Sequence, residues 1–146
     1  MNFMELVSET ALFGPMLVLM LLTFIVGIYM YKIRVAAMRA KKVHPEKLKR
    51  AESTHLLGEE ENYPADNFKN LFELPIVFYV LCLGLMITGL VDQVQVWLAW
   101  LFVVTRIAHS VVHCTYNKVM TRFRLYILGF FTVFVMTIKA SINYFT

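Results

Sequence analysis

The sequence predicts an all-α chain, an integral membrane four-helix bundle, and three observations carry that prediction. Four apolar runs, each near the roughly 20 residues that a bilayer span requires, are separated by polar connections. Hydrophobic residues make up 59% of the chain, with a mean hydropathy of +0.63, whereas soluble domains hold about 45–50% apolar residues. The lysines and arginines cluster beside the apolar runs. A segment in lipid must satisfy its backbone hydrogen bonds internally, so helices are the natural form. The length of 146 residues suits a single domain, residues 1–146. The net charge of +4 does not imply nucleic acid, because the basic residues lie where they set membrane orientation.

The first span runs from about Ala11 to Tyr31, with Gly14-Pro15 in its first turn, where proline is tolerated. It follows acidic Glu5 and Glu9 and continues without a small-residue cleavage site, which predicts a retained span and not a cleaved signal peptide. Its far end is basic, with Lys32, Arg34, Arg39, Lys41 and Lys42. A polar connection from about His44 to Pro64 holds His55, Gly58 and Glu59, Glu60 and Glu61, and reads as solvated surface. The second span, about 66–91, opens with Asp66, Asn70 and Glu73 at i, i+4 and i+7, one face of a continuous helix. Pro75 removes a backbone bond near Leu71 and predicts a kink. The short connection at Asp92-Gln93 predicts a tight hairpin into the third span, about 94–116, with Trp97 and Trp100 as an interfacial belt. The fourth span, about 122–144, ends with Lys139 placed to snorkel towards the far interface. Cys82 and Cys114 fall in apolar stretches and read as packing residues.

Of the 14 lysines and arginines, nine lie between Lys32 and Lys69 and three between Lys118 and Arg124. Both groups fall on one side of a four-span chain, so that side is expected to be cytoplasmic and both termini to lie opposite. The expected membrane is a bacterial inner membrane in preference to the endoplasmic reticulum, because Asn143-Tyr144-Phe145-Thr146 carries no retention signal.

On the basic side the helix ends gather polar groups that lipid would otherwise reject. Arg106, His109 and His113, at i, i+3 and i+7, form one stripe inside the third span, and intramembrane ionisable groups mark functional interiors. Arg122 and Tyr126 share a face at the start of the fourth. With Arg34 or Arg39, and with Asn70 and Glu73, they make a cationic pocket holding one buried carboxylate, suited to a ligand with more carboxylates than amines. A purely structural alternative is a buried Glu73–Arg106 pair that sets register. His109 and His113 invite a metal reading, but no H-E-x-x-H and no cysteine or carboxylate at ligand spacing accompanies them, and no metal is expected.

The four-span layout and these polar helix ends resemble the MAPEG family, the membrane-associated proteins in eicosanoid and glutathione metabolism. Lys69-Asn70-Leu71-Phe72-Glu73 is similar to the family's opening of the second span: a basic residue, Asn, two residues and Glu. Arg106 to His109 resembles its R-x-x-H, and Arg122 with Tyr126 resembles its fourth-span Arg with Tyr four residues on. By topology the resemblance covers nearly the whole chain, and its motifs lie in these three places between Lys69 and Tyr126. The resemblance implies a homotrimer with glutathione as cosubstrate, bound between neighbouring subunits near the cytoplasmic side. Carried over, Arg122 would be the catalytic residue that stabilises the glutathione thiolate. Asn70 and Glu73 would bind the tripeptide backbone, Arg106 and His109 would line or support the site, and Tyr126 would contact the tripeptide. His113 stands where some members have tyrosine. Asp66 stands where some have arginine, a clamp that Lys69 or Arg34 would replace. Phe123 stands where the prostaglandin-forming member has serine, so prostaglandin isomerisation is not implied. The implied function is a membrane-embedded glutathione-dependent transferase or peroxidase acting on lipophilic electrophiles or lipid hydroperoxides. The alternative is a non-catalytic member that binds membrane lipid or scaffolds a partner.

Overall fold

A computed structural model describes residues 8–49 and 55–146. Glu5, and Arg50, which is one of the nine basic residues between Lys32 and Lys69, lie outside the described residues. The described residues are helical, with no strand: α1 (Phe13–Ala40), α2 (Tyr63–Asn70), α3 (Leu74–Thr88), α4 (Gln93–Cys114) and α5 (Val119–Phe145), with short 3-10 turns at Pro45–Leu48 and Glu60–Asn62. Four helical segments are long and apolar enough to cross a membrane: Phe13–Ala40, Glu60–Thr88, Gln93–Cys114 and Val119–Phe145. The chain is a multi-pass membrane protein with an all-α architecture.

The second span is not one continuous helix. Pro75 carries no N–H for the Leu71 carbonyl, and its ring crowds that turn. The helix therefore stops at Asn70 and restarts at Leu74, with Glu73 in a non-helical conformation (φ −97°, ψ −97°). The predicted kink is a break, and the predicted face shared by Asp66, Asn70 and Glu73 does not survive it. α1 runs on to Ala40, well beyond the expected end, so Arg34 and Arg39 are helical.

α4 is the central helix. Half of its most apolar window is buried, against 22% for α1 and α5. It packs most extensively on α5 and next on α1. Although α3 and α4 are joined by a short turn, closed by Gly89 at φ +68°, they meet mainly through Phe78 and Phe102, whose ring centres lie 4.7 Å apart. Leu12, Met16 and Leu19 of α1, Cys82 and Leu85 of α3, and Val133 and Met136 of α5 complete this core.

At the end opposite the basic helix termini, Asp92 ties two helices together. One carboxylate oxygen accepts the Gln95 N–H at 2.9 Å and caps α4. The other lies 2.6 Å from the Lys139 Nζ of α5. Lys139 thus reaches a partner where snorkelling was expected. Partial burial works against the charge on Asp92, but the Lys139 ammonium and the Gln95 N–H outweigh it and hold the carboxyl below the usual carboxylate range. A depressed folded value means that this contribution to stability is complete above the unfolded pKa of about 3.9 and is lost as pH falls through the lower folded value. Asp92→Asn is expected to flatten that acid limb. The check is the thermal midpoint of detergent-solubilised protein followed between about pH 6 and pH 3.

Candidate functional site

The polar stripe of α4 is buried, and it faces the first turns of α5. Arg106 is 1% exposed. One of its terminal nitrogens, Nη2, donates to the Leu125 carbonyl at 3.1 Å. The guanidinium lies between two rings, 5.5 Å from the centre of Phe102 and 5.3 Å from that of Tyr126. Its Nε and Nη1 have no hydrogen-bond partner among the described residues. One turn along, His109 Nδ1 lies 3.2 Å from the Arg122 carbonyl oxygen. A carbonyl only accepts, so His109 donates from Nδ1 and keeps Nε2 as an acceptor, which is buried without a partner among the described residues. The ring of His113 meets that of His109 edge-on, and its Nδ1 lies 3.4 Å from the side-chain nitrogen of Asn70. Two successive side chains of α4 thus grip the backbone of the turn that carries Arg122, and a third reaches α2.

Arg122 itself is half-buried and stands between two openings. One is a polar cavity of about 700 Å³ lined by Arg34, Asp66, Lys69, Asn117 and Arg122, with His55 and Glu59 from the connection after α1. The other is a groove of about 220 Å³ lined by Asn70, His109, Val119, Arg122, Phe123 and Tyr126. Val119 and Phe123 are exposed and apolar, so the groove opens towards the lipid-facing surface. The polar connection forms a wall of the cavity through His55 and Glu59, and Lys41 ties the connection to the end of α1, its Nζ donating to the Leu57 carbonyl and pairing with Glu61 at 3.1 Å. His55 is exposed, as expected of a surface residue, and is part of that wall.

The structure therefore brings together most of the residues singled out from the sequence. Arg34, Lys69 and Arg122 share the cavity, and Asn70, His109, Arg122 and Tyr126 share the groove. Arg106 and His113 line neither opening and support those that do. Glu73 is the exception. It is exposed at the break between α2 and α3, lines neither opening, and makes no pair with Arg106. The cause is the break in the helix at Pro75, which leaves Glu73 in a non-helical conformation and off the face that Asn70 keeps. The carboxylates that do face the cavity are Glu59 and Asp66, the latter 3.7 Å from Lys69.

Three contributors escaped the sequence reading. Asn117 donates its backbone N–H to the Val112 carbonyl at 2.8 Å and accepts a 2.6 Å bond from Arg122 Nη1 on its side chain. Asn67, fully buried, joins Cys114 and Ser110 through contacts of 3.4 Å each. Gly129 gives Arg106 its space, for a Cβ there would lie 2.9 Å from Nη2. An asparagine between two apolar helical runs is a recognisable helix-end signal. The other two leave none in sequence.

A protein-family model, that of the MAPEG family, matches residues 12–142, nearly the whole chain. No curated protein and no solved structure matches it.

Proposed function

The chain belongs to the MAPEG family, and from that premise we propose that it is a glutathione-dependent transferase or peroxidase acting on lipophilic substrates within the membrane. The observation that carries the reading is the double exposure of Arg122. A single guanidinium borders a polar cavity rich in cations and a groove that opens beside apolar Val119 and Phe123. Glutathione, with two carboxylates and one ammonium, suits the first: Arg34 and Lys69 offer partners for carboxylates, and Asp66 or Glu59 offers one for the ammonium. A free thiol has a pKa of about 8.5, and an adjacent arginine lowers it, giving nucleophilic thiolate at neutral pH.

In conjugation the thiol loses its proton to water, the sulfur attacks the electrophilic carbon, and the leaving group departs with the bonding pair. In peroxide reduction the sulfur attacks the terminal oxygen of the hydroperoxide. The O–O bond breaks, the alkoxide takes a proton to become the alcohol, and a second glutathione converts the sulfenic acid to disulfide and water. In this reading the working form is a homotrimer, the basic side is cytoplasmic, and the membrane is a bacterial inner membrane. The outward apolar faces of α1 and α5 are available both to lipid and to neighbouring copies.

The test is an ultraviolet difference titration of the purified protein with glutathione near the thiolate band. A saturable signal at neutral pH is expected. No signal from folded protein, together with co-purified lipid, would transfer the assignment to a non-catalytic lipid-binding or scaffold member.

A further inference from the structure

We propose that Asn117 is a positioning residue for Arg122, one that fixes the guanidinium at the cavity wall while leaving its charge uncompensated. The inference rests on the glutathione reading above. Asn117 sits in the turn between α4 and α5 with φ +45°, a left-handed conformation that few side chains adopt and asparagine tolerates. There its N–H closes back on the Val112 carbonyl and terminates α4. The same residue presents its side-chain oxygen to Arg122 Nη1 at 2.6 Å, and both side chains line the 700 Å³ cavity. The hold on Arg122 therefore comes from the turn that joins the two helices. His109 holds the backbone of Arg122 and Asn117 holds its guanidinium, so the residue is tethered at both ends.

The chemistry of the acceptor matters as much as its place. An amide oxygen orients an arginine without neutralising it. A carboxylate at the same position would orient it equally well and cancel the field that a thiolate needs. Among the described residues no carboxylate forms an ion pair with Arg122.

Two substitutions separate these roles. Asn117→Gly keeps the left-handed turn and removes the hold. Asn117→Asp keeps the shape and the hold and adds a charge. Both are compared with the unaltered protein by thiolate difference absorbance at saturating glutathione across a pH series, with thermal unfolding in parallel. Asn117→Asp is expected to move the thiol midpoint upward by about one pH unit, roughly tenfold less thiolate at fixed low pH, with little change in unfolding temperature. Asn117→Gly is expected to lower the signal several-fold, again in folded protein. Midpoints equal to that of the unaltered protein in both variants would overturn the proposal and leave the glutathione reading standing. So would losses that merely track unfolding. A thiolate band absent from the unaltered protein would overturn both.

Discussion

Arg122→Ala is expected to lower glutathione thiolate formation, and with it conjugation or peroxidase turnover, by about 100-fold or more while protein yield and helix content hold. The size follows from the role. A preorganised charge beside a developing anion in a water-poor site is commonly the largest single contribution to catalysis, worth roughly 10²–10³ in rate for one donor. The small structural effect follows from the position. Arg122 is half-buried at a cavity wall. Its removal frees only the side-chain oxygen of Asn117, which water in the cavity can reach. Arg122→Lys is expected to recover part of the activity, because a lysine restores the charge but not the planar fork that Asn117 orients. Turnover in detergent, normalised to folded protein, decides the matter. Equal losses of turnover and yield would count against a catalytic role.

The largest effect on stability is expected from Gly129→Val. At this level α4 and α5 approach so closely that a Cβ on Gly129 would meet Arg106 Nη2 at 2.9 Å, Thr105 Oγ1 at 3.0 Å and Arg106 Cζ at 3.3 Å. Arg106 has no room to yield: it is enclosed by Phe102 and Tyr126 and tethered to the Leu125 carbonyl. Overfilling a packed interior costs about 1–3 kcal/mol, and here the displaced helix also carries Arg122 and Tyr126. The expected result is a lower unfolding midpoint in mild detergent together with lost activity. Leu128→Val, a change at the neighbouring exposed position of the same helix, is expected to leave both within error. Comparable midpoints for the two variants would mean that the helices can part at no cost.

The spans were legible because the bilayer sets their length and composition, and tertiary contacts cannot hide either. The stripe of Arg106, His109 and His113 was legible for a related reason: helical spacing holds inside an unbroken helix, and α4 is unbroken from Gln93 to Cys114. The same arithmetic failed at Glu73, because i, i+4, i+7 assumes continuity and Pro75 ends it. The expected depth of Glu73 in the membrane and its face shared with Asp66 and Asn70 depended on that assumption. The grip of α4 on α5 was not legible. It uses the carbonyls of Arg122 and Leu125, and backbone acceptors have no letter of their own. The role of Gly129 is hidden likewise, since an absent side chain shows its purpose only when its neighbour is placed.

The buried grip of α4 on α5 has a consequence for how the chain enters its membrane. α4 has a mean hydropathy of 1.4 over its most apolar window, below the 2.2, 2.2 and 1.9 of the other spans. An arginine near the middle of a lone helix adds about 2.5–3.5 kcal/mol to the cost of insertion. The carbonyls that receive Arg106 and His109 belong to α5, which is synthesised afterwards. α4 alone is therefore a reluctant span, and α4 with α5 a willing one. The expected outcome is that α4 enters the bilayer efficiently only when α5 follows it, which a comparison of membrane insertion for α4 alone and for the α4–α5 pair would check; Arg106 and His109 then help to bring the last two of the four spans into the bilayer.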